Sequence, residues 1–298
     1  MTVLGSLNMD LALHLDALPA PGETVLSRRR VDGPGGKGLN QAVAAARAGA
    51  FTRMIGAVGE DAEGHALRQV LADDRIDPVV RATTGRTGLA VVLLDATGEN
   101  SIVVVPGTNA ALTDLMPAEL AAIAGARVLL MQLEVPLPTV AAAARAAREA
   151  GVTVVLNAAP AVAAAELPLD HVDLLVVNER EARTVAGVGG GAAGDVEPLL
   201  ERLLDLVPAV VVTLGPAGAL YCDAKGARHR EPGRAVPVVD TTGAGDTFAG
   251  YLAAALAEDV DVATALARAN AAAALCVQRP GAVPAVPHRL DVEAIAGR

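Results

Sequence analysis

Apolar residues along this chain fall into two kinds of stretch. Short apolar or β-branched runs, bounded by Gly, Pro, Asn or Asp, alternate with longer alanine- and leucine-rich stretches. The short runs predict strands at residues 2–7, 11–15, 24–31, 52–58, 88–95, 101–105, 128–133, 152–157, 174–177 and 210–214. The long stretches predict helices from about Gly38 to Gly49, at residues 62–71 and 137–150, after residue 177, and from Gly243 to about Ala257. From residue 126 onward strand and helix alternate regularly, which means a parallel sheet with helices on both faces. Strands 88–95 and 101–105 flank the turn at residues 96–100 and predict a hairpin. Together with strands 11–15 and 24–31 they break the rhythm, and we expect them to form a small sheet folded over one edge as a lid. The expected fold is one α/β domain over residues 1–298: a central, mostly parallel sheet flanked by helices, with a β-sheet lid inserted from about 11–31 and 88–105.

In open parallel sheets ligands gather at the carboxyl ends of the strands. Those ends carry Asn8 and Asp10, Glu134, Asn178 and Glu181, and Thr213 with Gly215. Any one of them could be an ordinary loop cap; their convergence points to a site. The sharpest feature is Asp240-Thr241-Thr242-Gly243-Ala244-Gly245-Asp246, which opens a helix. Small residues at 243–245 let a ligand approach the backbone, and the free first-turn amides favour an anion such as a phosphate. Asp246 inside that turn is either a helix cap or a general base beside a transferring phosphoryl group. A second glycine cluster, Gly33-Pro34-Gly35-Gly36-Lys37-Gly38, formally matches a dinucleotide-binding fingerprint, with Glu60 and Asp61 at the distance of a ribose-binding acid. It follows a lid strand rather than a core strand, and Lys37 beside Asn40 suits sugar hydroxyls better.

Composition narrows the partners. Net charge is −10, from 24 basic and 34 acidic residues, which disfavours nucleic-acid or anionic-membrane binding. Aromatics are 1% with no Trp, so platforms for stacking single-stranded bases are nearly absent. Two cysteines, Cys222 and Cys276, supply neither a disulfide framework nor a zinc site. With no signal peptide or membrane span in evidence, the expectation is a soluble cytoplasmic protein.

Two signatures, Gly35-Gly36-Lys37-Gly38-Leu39-Asn40-Gln41-Ala42 and Asp240-Thr241-Thr242-Gly243-Ala244-Gly245-Asp246, give the chain a resemblance to the ribokinase-like (PfkB) carbohydrate kinase family. Supporting matches are Gly5-Ser6-Leu7-Asn8-Met9-Asp10, Gly59-Glu60-Asp61-Ala62-Glu63-Gly64, Met131-Gln132-Leu133-Glu134, Asn178-Glu179-Arg180-Glu181 and Thr213-Leu214-Gly215, so the resemblance covers nearly the whole chain. It implies ATP-dependent phosphorylation of a sugar, with the 5-hydroxyl of D-ribose the first expectation. The alternatives are another furanose (deoxyribose, a ketohexose or a nucleoside) or a non-catalytic sugar- or nucleotide-sensing module on the same fold.

The resemblance also implies roles. Asn8, Asp10, Gly36, Lys37, Asn40 and Glu134 would hold the sugar, and Asp246 would take its proton. Gly243, Ala244 and Gly245 would form the anion hole. Thr213, Gly215 and Gly218 would line the nucleotide, together with Gly245, with Asn270 near the base where the family pattern leads one to expect His. Asn178 and Glu181 would place Mg²⁺ through water. Asp240 and the backbone at Thr242, Cys276, Arg279 and Gly281 would hold K⁺, with Ala285 where Ser is typical. Asp240 by itself could equally cap its own turn. Val91, Leu93, Val103 and Val105 alternate with other apolar residues, so both faces of the hairpin are apolar and a homodimer packed lid to lid is expected.

Overall fold

The structure, a computed structural model, describes residues 1–95, 100–188 and 196–296; of the turn predicted at 96–100, residues 96–99 lie outside them and Asn100 opens a strand. In chain order the first half holds β1 (Thr2–Leu4), β2 (Asn8–His14), β3 (Arg29–Gly35), α1 (Lys37–Arg47), β4 (Arg53–Gly59), α2 (Ala62–Asp73), β5 (Asp77–Thr83), β6 (Gly88–Leu94), β7 (Asn100–Val105) and α3 (Pro117–Ala124). Next come β8 (Val128–Met131), α4 (Leu137–Glu149), β9 (Thr153–Asn157), β10 (Leu174–Asn178), α5 (Glu179–Val185), α6 (Glu197–Leu204), β11 (Ala209–Thr213), β12 (Gly218–Asp223) and β13 (Arg228–Pro232). Helices α7 (Ala244–Ala257), α8 (Val262–Cys276) and α9 (Arg289–Ala296) close the chain.

Among the described residues the strands form two sheets. The larger runs β13-β12-β11-β10-β9-β8-β1-β4-β5, parallel from β11 to β5, with β12 and β13 added antiparallel at one edge. Successive side chains of its strands point to opposite faces. Val3, Met54, Leu130 and Val155 enter one core with Leu39, Phe248 and Leu266. Leu4, Ile55, Leu129 and Val154 enter the other with Ile123, Val140 and Leu199. Such two-faced burial is what near-continuous Val, Leu and Ile runs demand.

The smaller sheet runs β3-β2-β6-β7. Its content matches the expected extra strands, but strand boundaries move. The strand predicted at 24–31 begins only at Arg29 and continues through Pro34 to Gly35. Pairing explains the shift: β3 pairs antiparallel with β2 from Asn8↔Gly35 to His14↔Arg29, so residues 24–28 have no β2 residue opposite them. Pro34 is tolerated because β3 is an edge strand. The strand predicted at 2–7 stops at Leu4, and Asn8 and Asp10, expected in a loop, instead open β2. Likewise the strand predicted at 128–133 stops at Met131, paired with Leu4 at the end of β1, so Glu134 still follows the strand but not directly.

Candidate active site

The carboxyl ends of β1, β8, β9, β10 and β11 face the N-termini of α1 and α7, and the site is built there. Gly36 caps α1 in a left-handed conformation, φ 91°; a Cβ on it would lie 2.8 Å from the Asn8 amide nitrogen. A Cβ on Gly35 would lie 2.0 Å from Asp10 Oδ2. The glycines therefore let the start of α1 close onto Asn8 and Asp10; the strand before them, β3, is the edge of the small sheet and not a strand of the parallel sheet, so this is not the βαβ setting of a dinucleotide fingerprint. Asn8 Oδ1 accepts from Asn109 Nδ2 at 2.7 Å, and Asn109 also bonds both backbone groups of Leu7. Glu134 Oε2 accepts from Ser6 Oγ at 2.6 Å and from the Lys37 amide at 3.2 Å.

Asp246, in the first turn of α7, is buried and accepts at both oxygens: Oδ2 from Asn40 Nδ2 and Oδ1 from Gln41 Nε2, each at 2.9 Å. Asp10, Lys37, Glu134 and Glu181 share its surroundings. Burial, then the Glu134 and Asp246 carboxylates, push Asp10 up to about 7. The Lys37 ammonium is held above its ordinary value, chiefly by Asp246. Burial also raises Glu181. One cation thus serves a cluster of acids, which suits binding of a polyol and, at the adjoining helix end, a phosphate.

Two cavities meet at Thr213, Thr241 and Gly245. The smaller, about 240 Å³, is polar and holds Lys37, Asn157, Asn178, Glu181, Gly243 and Asp246. The larger, about 610 Å³, is mostly apolar and holds Gly215, Gly218, Phe248, Asn270 and Val277. Gly243 caps α7 at φ 74°, and the following amides of Gly245 and Asp246 lie in the turn whose N–H groups have no intrahelical acceptor.

The structure thus brings Asn8, Asp10, Gly36, Lys37, Asn40, Glu134 and Asp246 into one group. Thr213, Gly215, Gly218, Gly245 and Asn270 line the apolar cavity, where Asn270 Nδ2 donates to the Pro232 carbonyl at 2.7 Å. Asn178 and Glu181 lie in the polar cavity and cap α5 for each other: Glu181 N donates to Asn178 Oδ1 and Asn178 N to Glu181 Oε2. Asp240 accepts from the Thr242 and Gly281 amides at 2.9 and 2.8 Å, and the Cys276 thiol meets the Thr242 carbonyl at 3.8 Å. The Arg279 amide bonds the Cys276 carbonyl, so all five expected K⁺ positions lie on one flank of the anion turn. The sequence motifs do not single out Asn157; Asn109, in the matching stretch Pro106-Gly107-Thr108-Asn109-Ala110-Ala111, and Ser6, Gln41 and Gln132, inside the quoted signatures, carry no expected role.

Comparison with known proteins decides the family. The model of the pfkB family carbohydrate kinases matches residues 1–289. The chain belongs to that family. It is 39% identical over 298 residues to the ribokinase of Bacillus subtilis, covering 98% of this chain and 97% of that one. It is 37% identical over 295 residues to the ribokinase of Haemophilus influenzae, covering 98% and 96%. The structure of Arabidopsis thaliana ribokinase complexed with ribose and ATP superposes with a TM-score of 0.92 at 33% identity, over 100% of this chain and 98% of that one. A pfkB-family carbohydrate kinase is a phosphotransferase with an alcohol acceptor, so this protein is an enzyme of that class and not a dinucleotide-binding module.

Proposed function

We propose that this enzyme transfers the γ-phosphoryl group of ATP to the 5-hydroxyl of D-ribose, giving D-ribose 5-phosphate and ADP. The observation that carries this is Asp246: a buried carboxylate at the start of α7, anchored on both oxygens, between a polar hydroxyl-binding group and an anion-binding turn. Near-full-length relatives named ribokinase, and the neighbour complexed with ribose and ATP, support the choice of substrates. Asn8, Asp10, Gly36, Lys37, Asn40 and Glu134 hold the sugar hydroxyls. Asp246 takes the proton of the attacking hydroxyl, and the amides following Gly243 face the charge that develops on the phosphoryl oxygens. Thr213, Gly215, Gly218 and Asn270 line the nucleotide. The chain acts as one kinase domain with the small sheet as its lid, in a cytoplasm that supplies ATP; among the described residues no helix is long and apolar enough to cross a membrane. ADP formation measured over a panel of ribose, deoxyribose, fructose and adenosine at fixed ATP tests the substrate. Turnover fastest with ribose is expected, and no ADP with any sugar refutes the proposal.

The polar cavity offers hard oxygen donors, Glu181 with the Asn178 and Asn157 amides, that fit Mg²⁺ held largely through water. When bound, that ion neutralises phosphate charge. Asp240 with the carbonyls of Thr242, Cys276, Arg279 and Gly281 is an all-oxygen set that fits K⁺; the Thr242 carbonyl meets only a weak thiol donor there. Cation charge at that flank would steady the loop that presents the amides. Turnover should then rise several-fold in K⁺ over Na⁺ or Li⁺ at constant ionic strength. Equal rates in all three salts would leave Asp240 as a loop cap and nothing more.

The small sheet leaves Ile102, Val103, Val104 and Val105 between 42% and 57% exposed on its edge strand β7. Adjacent residues point to opposite faces, so neither face is polar. We expect a homodimer that covers one of them. Sedimentation at micromolar concentration checks this, and a fully active monomer refutes it.

A further inference from the structure

Asn40 and Gln41, adjacent on α1, reach the same carboxylate from two sides. Gln41 is fully buried and uses its whole amide. Nε2 donates to Asp246 Oδ1 and to Asn157 Oδ1, both at 2.9 Å, while Oε1 accepts from Gln132 Nε2 at 2.6 Å. Asn157 Nδ2 in turn donates to the Val176 carbonyl at 3.1 Å. The direction of each amide in this chain is forced. A backbone carbonyl only accepts, so Asn157 presents its nitrogen there and its oxygen to Gln41; a carboxylate only accepts, so Gln41 presents its nitrogen to Asp246. Residues from α1, β9 and α7, and the segment just after β8, are tied together this way. The arrangement has a cost: Gln132 Oε1 is buried with no partner among the described residues, where an apolar side chain would leave nothing unsatisfied.

An aspartate has a broad, two-fold terminal torsion, so a base on this side chain needs something to fix its plane. The Lys37 ammonium nearby is a competing attraction for the carboxylate. We propose that Gln41 is a positioning residue for phosphoryl transfer: an anchored double donor that holds the Asp246 carboxylate toward the hydroxyl, with Gln132 and Asn157 fixing its own direction. This rests on the reaction proposed above. Without Gln41, one carboxylate oxygen loses its donor and the group turns toward Lys37, away from the acceptor.

The test compares wild type, Gln41→Met, Gln132→Met and the double variant by steady-state kinetics with ribose and ATP. Gln41→Met, close in volume but without donors, should lose about ten- to a hundred-fold in kcat with both KM values within about two-fold. Gln132→Met should lose several-fold in kcat, and nothing further when added to Gln41→Met, because it acts through Gln41. A Gln41→Met kcat within about two-fold of wild type, a loss confined to KM, or additive effects in the double variant overturns the proposal. Should Gln41→Met not fold, Gln132→Met decides alone, and an unchanged kcat overturns it. Wild type that forms no ADP with ribose refutes the reaction itself, a separate outcome.

Discussion

Asp246→Asn is expected to lower turnover by about two to four powers of ten while ribose binding is largely kept. The substitution keeps the shape of the side chain and removes the basic oxygen. It also turns an acceptor-only group into one that must place an NH₂ somewhere, and both oxygens of Asp246 face amide donors, Asn40 Nδ2 and Gln41 Nε2. Gln41 cannot turn, but Asn40, whose Oδ1 has no partner among the described residues, can turn to accept that NH₂, so the variant combines a missing base with a rearranged anchor. The proposed sugar ligands Asn8 and Glu134 keep their own partners, which is why binding is expected to survive. The electrostatic signature is specific as well. Asp246 helps to push Asp10 up to about 7 and to raise Lys37, so neutralising it should move both downward. Steady-state kcat, ribose binding by thermal shift and the Asp10 titration by NMR check the three parts. Near-normal turnover would exclude Asp246 as the base.

Much of this site is legible in the sequence because glycine and polar residues there answer to backbone geometry. Gly243 and Gly36 occupy left-handed caps, and Asn8, Glu134 and Thr213 follow or end apolar runs. What stayed hidden depends on pairing or on distant contact. Strand β5 contains Pro78 and Arg81 and survives as a strand only because it is the sheet edge, with Arg81 bonded to Glu119. Helix α3 is eight residues long and mostly alanine and other apolar side chains, too short for its period to stand out. Strands β12 and β13 pair antiparallel at the far edge, and β13 alternates exposed Arg228 and Arg230 with half-buried His229 and Glu231, unlike the buried parallel strands beside them. Gln41 is invisible for a different reason: its meaning lies in residues 132, 157 and 246 meeting around it, and no local spacing encodes that.

Gly245→Ala should give a protein that is more stable and yet nearly inactive. Gly245 is the second residue of α7, and its backbone does not need a left-handed conformation. A Cβ built there meets nothing within 4 Å of the protein. Alanine in a helix is favoured over glycine by about 0.5–1 kcal/mol, so the melting temperature should hold or rise. The empty space is not idle, however, because Gly245 borders both cavities and lies where ATP phosphates would approach the helix amides. A methyl group at that point forces the phosphoryl group away from its donors, and loss of one such donor typically costs about 10²–10³ in turnover. Gly243→Ala provides the contrast. There φ is 74° and the added Cβ would lie 3.1 Å from Ala282 Cα, so stability should fall by about 1–2 kcal/mol along with activity. Melting curves and kcat for the two variants separate ligand clash from backbone strain. A Gly245→Ala enzyme with wild-type kcat and KM for ATP would mean that no phosphate passes over this turn.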